Sequence, residues 1–227
     1  MDNRSTRRAA RAVVATGATA LALALLPASA FAQSGGDQGR PHGLEQTAVH
    51  TQVQEVTPAG AARAAHALPA SKRLNYTQQV QQNNEWCWAA DGSSIEKSEG
   101  GSASQEQFCA AGKGAQVGNC PNDAAEIPEI VQGFRGTGFS AQDAGGTISY
   151  SSIQKQVDAG ILNLTGIYWT SGGGHAEVIY GYDSSNQTIM LGDPWPSYQR
   201  YQTWDYNQYR SNSQFRWNDT IVNIRKG

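Results

Sequence analysis

The sequence around the first cysteine reads QQNNEWCWAA over residues 81–90. Asn83 and Asn84 are candidate N-caps, and the residues from Trp86 to Lys97 favour a helix. Cys87 would then lie in the first turn, where free backbone N–H groups and the positive end of the helix dipole stabilise a thiolate. This stretch therefore predicts a reactive cysteine at the start of a helix.

A nucleophilic thiolate needs a histidine as its base. The chain has four histidines, and His42, His50 and His66 precede the aromatic-rich part of the sequence. The remaining histidine, His175, is therefore the candidate base if the chain is a cysteine hydrolase. A structural histidine at a strand end is the alternative interpretation.

His175 precedes a β-branched and aromatic stretch, Ala176–Tyr182, which is followed by a turn at Asp183–Asn186 and a second strand. A hairpin centred near residue 184 would place His175 opposite Asp193. A carboxylate in that position can hold the imidazole tautomer and stabilise the imidazolium. The spacing predicts Asp193 as the orienting acid, although a residue before Pro-Trp-Pro can also cap a turn.

Upstream of Cys87, Gln81 is predicted to donate a side-chain N–H to an oxyanion, with the backbone N–H of Cys87 as the second donor. Gln82 is the alternative donor. Glu177 shares a strand face with His175 and is either a site residue or a solvated or salt-bridged acid. Asp91 is one helical turn after Cys87, where its charge would raise the pKa of the thiol.

The domain organisation follows from composition. Residues 1–32 combine a basic start, an apolar run and an Ala-Phe-Ala end, which is typical of an export signal. Residues 33–73 contain no Trp, Tyr, Phe or Cys, so we expect a largely disordered propeptide or linker. Its part from Thr57 to Arg73 is predicted to lie along the active-site cleft that Cys87 and His175 would share, and to be removed near Lys72-Arg73. Residues 74–227 form one domain.

Within this domain, periodicity predicts helices near residues 86–97, 103–112, 127–134 and 150–159. Residues 161–170, 176–182 and 188–191 predict strands. Helices first and strands second favour an α+β fold with an antiparallel sheet.

Three cysteines in an exported chain leave one unpaired. Cys109 and Cys120 flank a short glycine-rich loop, and a bridge between them would leave Cys87 free. Cys87 could instead be a buried small side chain, or could pair with either of the others.

The motifs Trp86-Cys87-Trp88-Ala89-Ala90, Gly174-His175 and Gly192-Asp193-Pro194, with a glutamine upstream, resemble the papain-like cysteine peptidases. The similarity is to a secreted bacterial branch that includes plant-pathogen effector peptidases and actinobacterial homologues. It implies a two-lobed fold, with an N-terminal helical lobe carrying the cysteine and a C-terminal sheet lobe carrying the histidine. It also implies a secreted endopeptidase that acts through a thioester acyl-enzyme, with Cys87, His175, Asp193 and Gln81 in the family's roles.

Two alternatives remain. One is a cell-wall amidase or endopeptidase that uses the same Cys-His pair, and the other is a catalytically silent papain-like domain that binds peptides. Residues 74–227 contain nine Lys and Arg against fifteen Asp and Glu, which argues against binding to nucleic acid or to an anionic membrane. We expect an extracellular monomer that acts on peptide or protein substrates without cofactor or metal.

Overall fold

The computed structural model describes residues 39–59 and 67–227. The expected signal sequence, residues 1–32, lies outside the described residues. Among the described residues, no helix combines the length and apolarity needed to cross a membrane.

In the part of the chain that the structure describes, four of five helices precede the main strands, as the sequence predicts. Their bounds are α1 Cys87–Ser98, α2 Gln105–Lys113, α3 Ile127–Gly136, α4 Tyr150–Asp158 and α5 Tyr206–Arg210. The helix α2 begins with a capping box between Ser104 and Gln107 and is capped at its C-terminus by Gly114, whose φ of 64° is left-handed. The predicted asparagine cap of α1 is wrong, because Trp86 occupies the N-cap position and makes no side-chain cap bond.

Within residues 39–59 and 67–227, seven strands form one antiparallel sheet. Their bounds are β1 Ser71–Arg73, β2 Phe139–Asp143, β3 Asn163–Trp169, β4 Gly174–Asp183, β5 Thr188–Gly192, β6 Tyr201–Asp205 and β7 Phe215–Lys226. The order is β2-β7-β3-β4-β5-β6, and β1 pairs with the end of β4 that extends beyond β3. The predicted α+β class with an antiparallel sheet is confirmed.

Two apolar cores lie on opposite faces of the sheet, because successive residues such as Val178 and Ile179 of β4 point to opposite sides. The core on the Val178 face joins α1–α3 to the sheet and includes Trp88 and Phe108. The core on the Ile179 face joins α4 and α5 to the sheet. The start of β4 and the start of α1 therefore meet at the edge of the first core.

Residues 39–59, called here the N-terminal segment, also pack against the domain. Leu44 is 2% exposed and belongs to the first core. Further along the segment, the backbone N–H of Ala59 donates to Asn223 Oδ1 at 2.8 Å. Burial of Leu44 and pairing of β1 show that parts of residues 33–73 contact the domain, whereas composition alone predicts a largely disordered stretch. Their assignment as a propeptide or linker stays a prediction.

Candidate active site

Cys87 is the first residue of α1, and its side chain is fully buried. It is the free cysteine of the chain, because Cys109 and Cys120 form a disulfide bond. The predicted pairing is confirmed. The backbone N–H of Ala176 donates to Cys87 Sγ at 3.4 Å, so the strand that carries His175 contacts the thiol directly.

Several groups act on the thiol. Burial raises the pKa of Cys87 well above its ordinary value, and the charge of Asp91 raises it further. The N–H groups of Ala176 and Trp88 lower that pKa. In this state, with the sulfur out of contact with water, the site therefore favours the thiol over the thiolate.

His175 is the second residue of β4, and its Nε2 lies 2.9 Å from Asp193 Oδ1. The other ring nitrogen, Nδ1, is buried and has no hydrogen-bond partner among the described residues. Asp193 Oδ1 also accepts the backbone N–H of Trp195 at 2.8 Å, and Oδ2 accepts Gln202 Nε2 at 3.1 Å. These contacts fix the imidazole through Nε2 and leave Nδ1 free to exchange a proton.

The predicted register of the β4–β5 hairpin is wrong, although its chemical consequence holds. Val178 pairs with Gly192, so Asp193 lies just past the ladder and His175 is not directly opposite it. The ladder shifts between Ile179 and Gly181. A bulge in β4 and the turn of the chain after β5 bring the two side chains together diagonally.

Gln81 lies beside the helix start, but its side chain has other partners. Its Nε2 donates to the carbonyls of Asn83 and Asn84 at 2.8 and 2.7 Å. Both amide hydrogens are thus used within the loop before Cys87. The predicted oxyanion role of Gln81 requires this amide to turn, and it stays a prediction.

Asp91, one helical turn after Cys87, is fully buried. Its Oδ1 accepts Gln78 Nε2 at 2.8 Å, and its Oδ2 has no partner among the described residues. Burial raises the pKa of Asp91 well above its ordinary value.

Glu177 is also buried, at 4% exposed, and is neither solvated nor salt-bridged among the described residues. The side-chain ligand atoms of His175, Glu177 and Asp193 lie within 4.8 Å of one another, a grouping that could hold a metal ion. The 2.9 Å separation of Nε2 and Oδ1 is a hydrogen-bond distance. We therefore interpret the group as a hydrogen-bonded acid–imidazole site. The signal for Glu177 was its two-residue spacing from His175 on a strand.

The N-terminal segment covers Cys87. A Cβ atom at Gly43 would lie 2.5 Å from Cys87 Sγ and 2.5 Å from the Glu85 carbonyl oxygen, so Gly43 contacts the sulfur. Leu44 forms a parallel bridge with Ala125 on the helical side and an antiparallel bridge with Gly174 on the sheet side. The segment thus fills the cleft between α1, which carries Cys87, and β4, which carries His175.

The contacts of the segment extend beyond the cysteine. The guanidinium of Arg40 lies 5.2 Å from the Trp169 ring, and Trp169 Nε1 donates to the Pro41 carbonyl at 2.8 Å. The prediction that Thr57–Arg73 lies along the cleft is wrong in its described part, because residues 71–73 form β1 at the far end of β4. Residues 60–66 lie outside the described residues.

The chain is similar to known proteins in sequence and in fold. A family model described as papain-like cysteine protease AvrRpt2 matches residues 70–214. The chain is similar to the structure of xylellain, a cysteine protease from Xylella fastidiosa, at 13% identity with a TM-score of 0.57, covering 84% of this chain and 98% of that chain. It is also similar to a double glycine motif protease from an AMS/PCAT transporter in complex with the leader peptide, at 13% identity with a TM-score of 0.50, covering 69% of this chain and 95% of that chain.

No curated protein sequence is significantly similar to the chain. The two solved structures establish the likeness of the fold. The family match spans more than half of the chain and includes Cys87, His175 and Asp193, so the chain belongs to the papain-like cysteine protease family and is a cysteine peptidase.

Proposed function

We propose that the protein is a secreted cysteine endopeptidase that is made as a latent precursor and hydrolyses peptide bonds in peptide or protein substrates. The observation that carries the proposal is the contact between the free, buried thiol of Cys87 and the strand of His175, whose Nε2 is held by Asp193. The transporter protease in complex with a leader peptide supports a peptide as the ligand of this fold. Secretion is proposed from the export-type sequence of residues 1–32.

The proposed reaction begins with transfer of the Cys87 proton to His175 Nδ1. The sulfur attacks the substrate carbonyl carbon, and the oxyanion is bound by the backbone N–H of Cys87 and by Gln81 after its amide has turned. The imidazolium returns its proton to the leaving amine, which departs and leaves a thioester. Water, activated by His175, hydrolyses the thioester and frees the sulfur. Asp193 keeps the imidazole aligned throughout.

The proposed latency rests on the N-terminal segment. The carbonyl of Gly43 accepts the N–H of Ala125 at 3.0 Å, and the N–H of Leu44 donates to the Gly174 carbonyl at 3.2 Å. The Gly43 carbonyl is therefore engaged by the helical side of the cleft and not by the proposed oxyanion donors. A chain held this way excludes substrate without being cut.

Maturation is proposed to occur before β1. Lys72 and Arg73 belong to β1, and Lys72 Nζ donates to the Asp158 carbonyl at 2.7 Å. A protease binds its substrate in extended form, so a strand already paired in a sheet is a poor site. Residues 67–70 are exposed, and cleavage there would separate the N-terminal segment from the domain.

The first experiment tests the enzyme itself. Active, processed protein should hydrolyse peptides and should be labelled stoichiometrically on Cys87 by an epoxide peptide inhibitor. Cys87→Ala and His175→Ala should each lower kcat by roughly three orders of magnitude or more while the fold is kept. A folded, reduced, processed protein with neither hydrolysis nor labelling would support the silent peptide-binding module. Cleavage of cell-wall peptides alone would support the amidase alternative.

The second experiment tests latency with a matched pair of glycines in the precursor. Gly43→Ala introduces a methyl group against Cys87 Sγ and a backbone carbonyl, whereas a Cβ at Gly39 would meet nothing within 4 Å. Overpacking of this kind costs about 1–3 kcal/mol. We therefore expect Gly43→Ala to raise the rate of Cys87 labelling roughly tenfold and Gly39→Ala to leave it unchanged. Equal rates in the two variants would contradict the proposed latency.

A further inference from the structure

A second buried carboxyl group lies beside the His175–Asp193 pair. Glu177 follows His175 by two residues on β4, so the two side chains share a face of the strand. Continuing the observed register past Val178–Gly192 places Glu177 next to Asp193. No Lys or Arg of the described chain forms an ion pair with Glu177, and a buried carboxylate without a cation is costly.

Three oxygen contacts connect Glu177 to its neighbours in a ring. Tyr209 Oη lies 2.7 Å from Glu177 Oε2 and 2.7 Å from Thr165 Oγ1. Thr165 Oγ1 lies 3.1 Å from the backbone carbonyl of Glu177. The two hydroxyl groups supply only two protons for these three contacts. A proton on the Glu177 carboxyl group supplies the third, so the ring is complete when Glu177 is neutral.

The surroundings of Asp193 have the opposite character. Its carboxylate accepts three N–H donors, from His175, Trp195 and Gln202, and such donors stabilise the ionised form. Burial and the nearby charge of Asp193 both raise the pKa of Glu177 well above its ordinary value. Two carboxyl groups this close and out of water hold one proton between them, and the contacts assign that proton to Glu177.

We propose that Glu177 is a positioning residue for the peptidase reaction: as a neutral carboxylic acid, it packs beside the Asp193 carboxylate and keeps Asp193 aligned with His175 Nε2. The inference rests on the proposed function. A neutral Glu177 leaves one negative charge beside the imidazole, so the charge that stabilises the imidazolium stays on the residue that also orients it. Tyr209 and Thr165 hold the Glu177 side chain in place from α5 and β3.

The test compares substitutions in the active, processed enzyme, with kcat and KM measured across the pH range. Glu177→Leu should lower kcat about tenfold or more, with KM changed less than about twofold, because alignment of His175 is lost and substrate contacts are not. Glu177→Gln should stay within about threefold of the parent enzyme, with both limbs of the pH profile unchanged, because the amide is neutral and both donates and accepts. Glu96→Leu is the matched control. It also removes a fully buried carboxyl group, but from α1 and not from β4, and it should leave kcat unchanged.

Wild-type kcat in Glu177→Leu would overturn the proposal. So would a shift of the alkaline limb to lower pH in Glu177→Gln, because removal of an anion beside His175 would lower the pKa of the imidazolium. The other charged groups near Glu177 are the same in the parent enzyme and in both variants, so these two outcomes report on Glu177 itself. Among the described residues, the titratable or charged side chains around Glu177 and its neighbour Asp193 are His175, Asp91, Tyr198, Tyr209 and Arg200.

A second comparison applies if Glu177→Leu does not fold. Tyr209→Phe breaks the ring and should lower kcat, whereas Tyr182→Phe removes a hydroxyl that donates to the distant Pro69 carbonyl and should not. Equal kcat in Tyr209→Phe and the parent enzyme would overturn the proposal. Failure of the proposed function looks different, because the parent enzyme and its Cys87→Ala variant would then be equally inactive.

Discussion

The Nε2 of His175 lies 2.9 Å from Oδ1 of Asp193, although the two residues are not opposite each other in the β4–β5 ladder. The contact is diagonal and is fixed from the Asp193 side by the backbone N–H of Trp195 and by Gln202 at the edge strand β6. The geometry of the site therefore depends on the end of β5 and on β6, beyond the hairpin that carries the two residues.

The first prediction follows from this arrangement. Asp193→Ala should lower kcat on the order of a hundredfold, less than Cys87→Ala or His175→Ala, because orientation of the imidazole is lost while the reacting atoms remain. Gln202→Ala should have a smaller effect of the same kind, since it removes one of three donors to Asp193. Steady-state kinetics on the processed enzyme provide the measurement. A loss in Asp193→Ala as large as that in His175→Ala would show that Asp193 does more than orient.

The second prediction concerns the charge of Asp91. Because this charge raises the pKa of Cys87, Asp91→Asn should lower the pKa of the thiol and move the acid limb of the alkylation-rate profile to lower pH. The amide can keep the contact with Gln78, so the fold is preserved. An unchanged profile would show that Asp91, whose own pKa burial raises, stays protonated while the thiol titrates.

The third prediction concerns the Cys109–Cys120 bridge. It closes the stretch that precedes Ala125, whose backbone N–H and carbonyl bind the N-terminal segment at Gly43 and Glu45. Replacing both cysteines by serine should destabilise the fold by up to about 3 kcal/mol. It should also raise KM, because the same backbone groups are available to a substrate. Denaturant unfolding and steady-state kinetics test the two effects separately, and an unchanged unfolding midpoint would contradict the first.

The fourth prediction concerns Glu96, a buried acid of α1 that contacts Thr137 Oγ1. Burial raises the pKa of Glu96 from 4.5 to about 7. Between these values the folded state keeps a proton that the unfolded state has lost, so this group's contribution to stability falls as pH rises from about 4.5 to about 7. Glu96→Gln should remove that dependence and should be more stable than the parent protein above pH 7. The same change in the free energy of unfolding with pH in the two proteins would contradict this prediction.

The sequence alone determined the local features of the protein. The bounds of α1–α4 agree with the predicted helices to within about two residues, because helical periodicity and capping are carried by neighbours along the chain. The pairing of Cys109 with Cys120 followed from a short loop, and the identity of His175 followed from its being the one histidine after residue 73. These are inferences from short spacings or from elimination.

Only the tertiary structure decided how distant parts of the chain meet. The bulge in β4 and the diagonal contact of His175 with Asp193 depend on pairing between strands, which the local sequence does not specify. Leu44 belongs to a stretch without Trp, Tyr, Phe or Cys, yet it is buried because Ala125 and Gly174, far along the chain, present backbone groups on both sides of it. The neutral state proposed for Glu177 likewise depends on Tyr209 and Thr165 from two other elements. Burial and charge state are set by contacts of this kind, and no spacing along the chain specifies them.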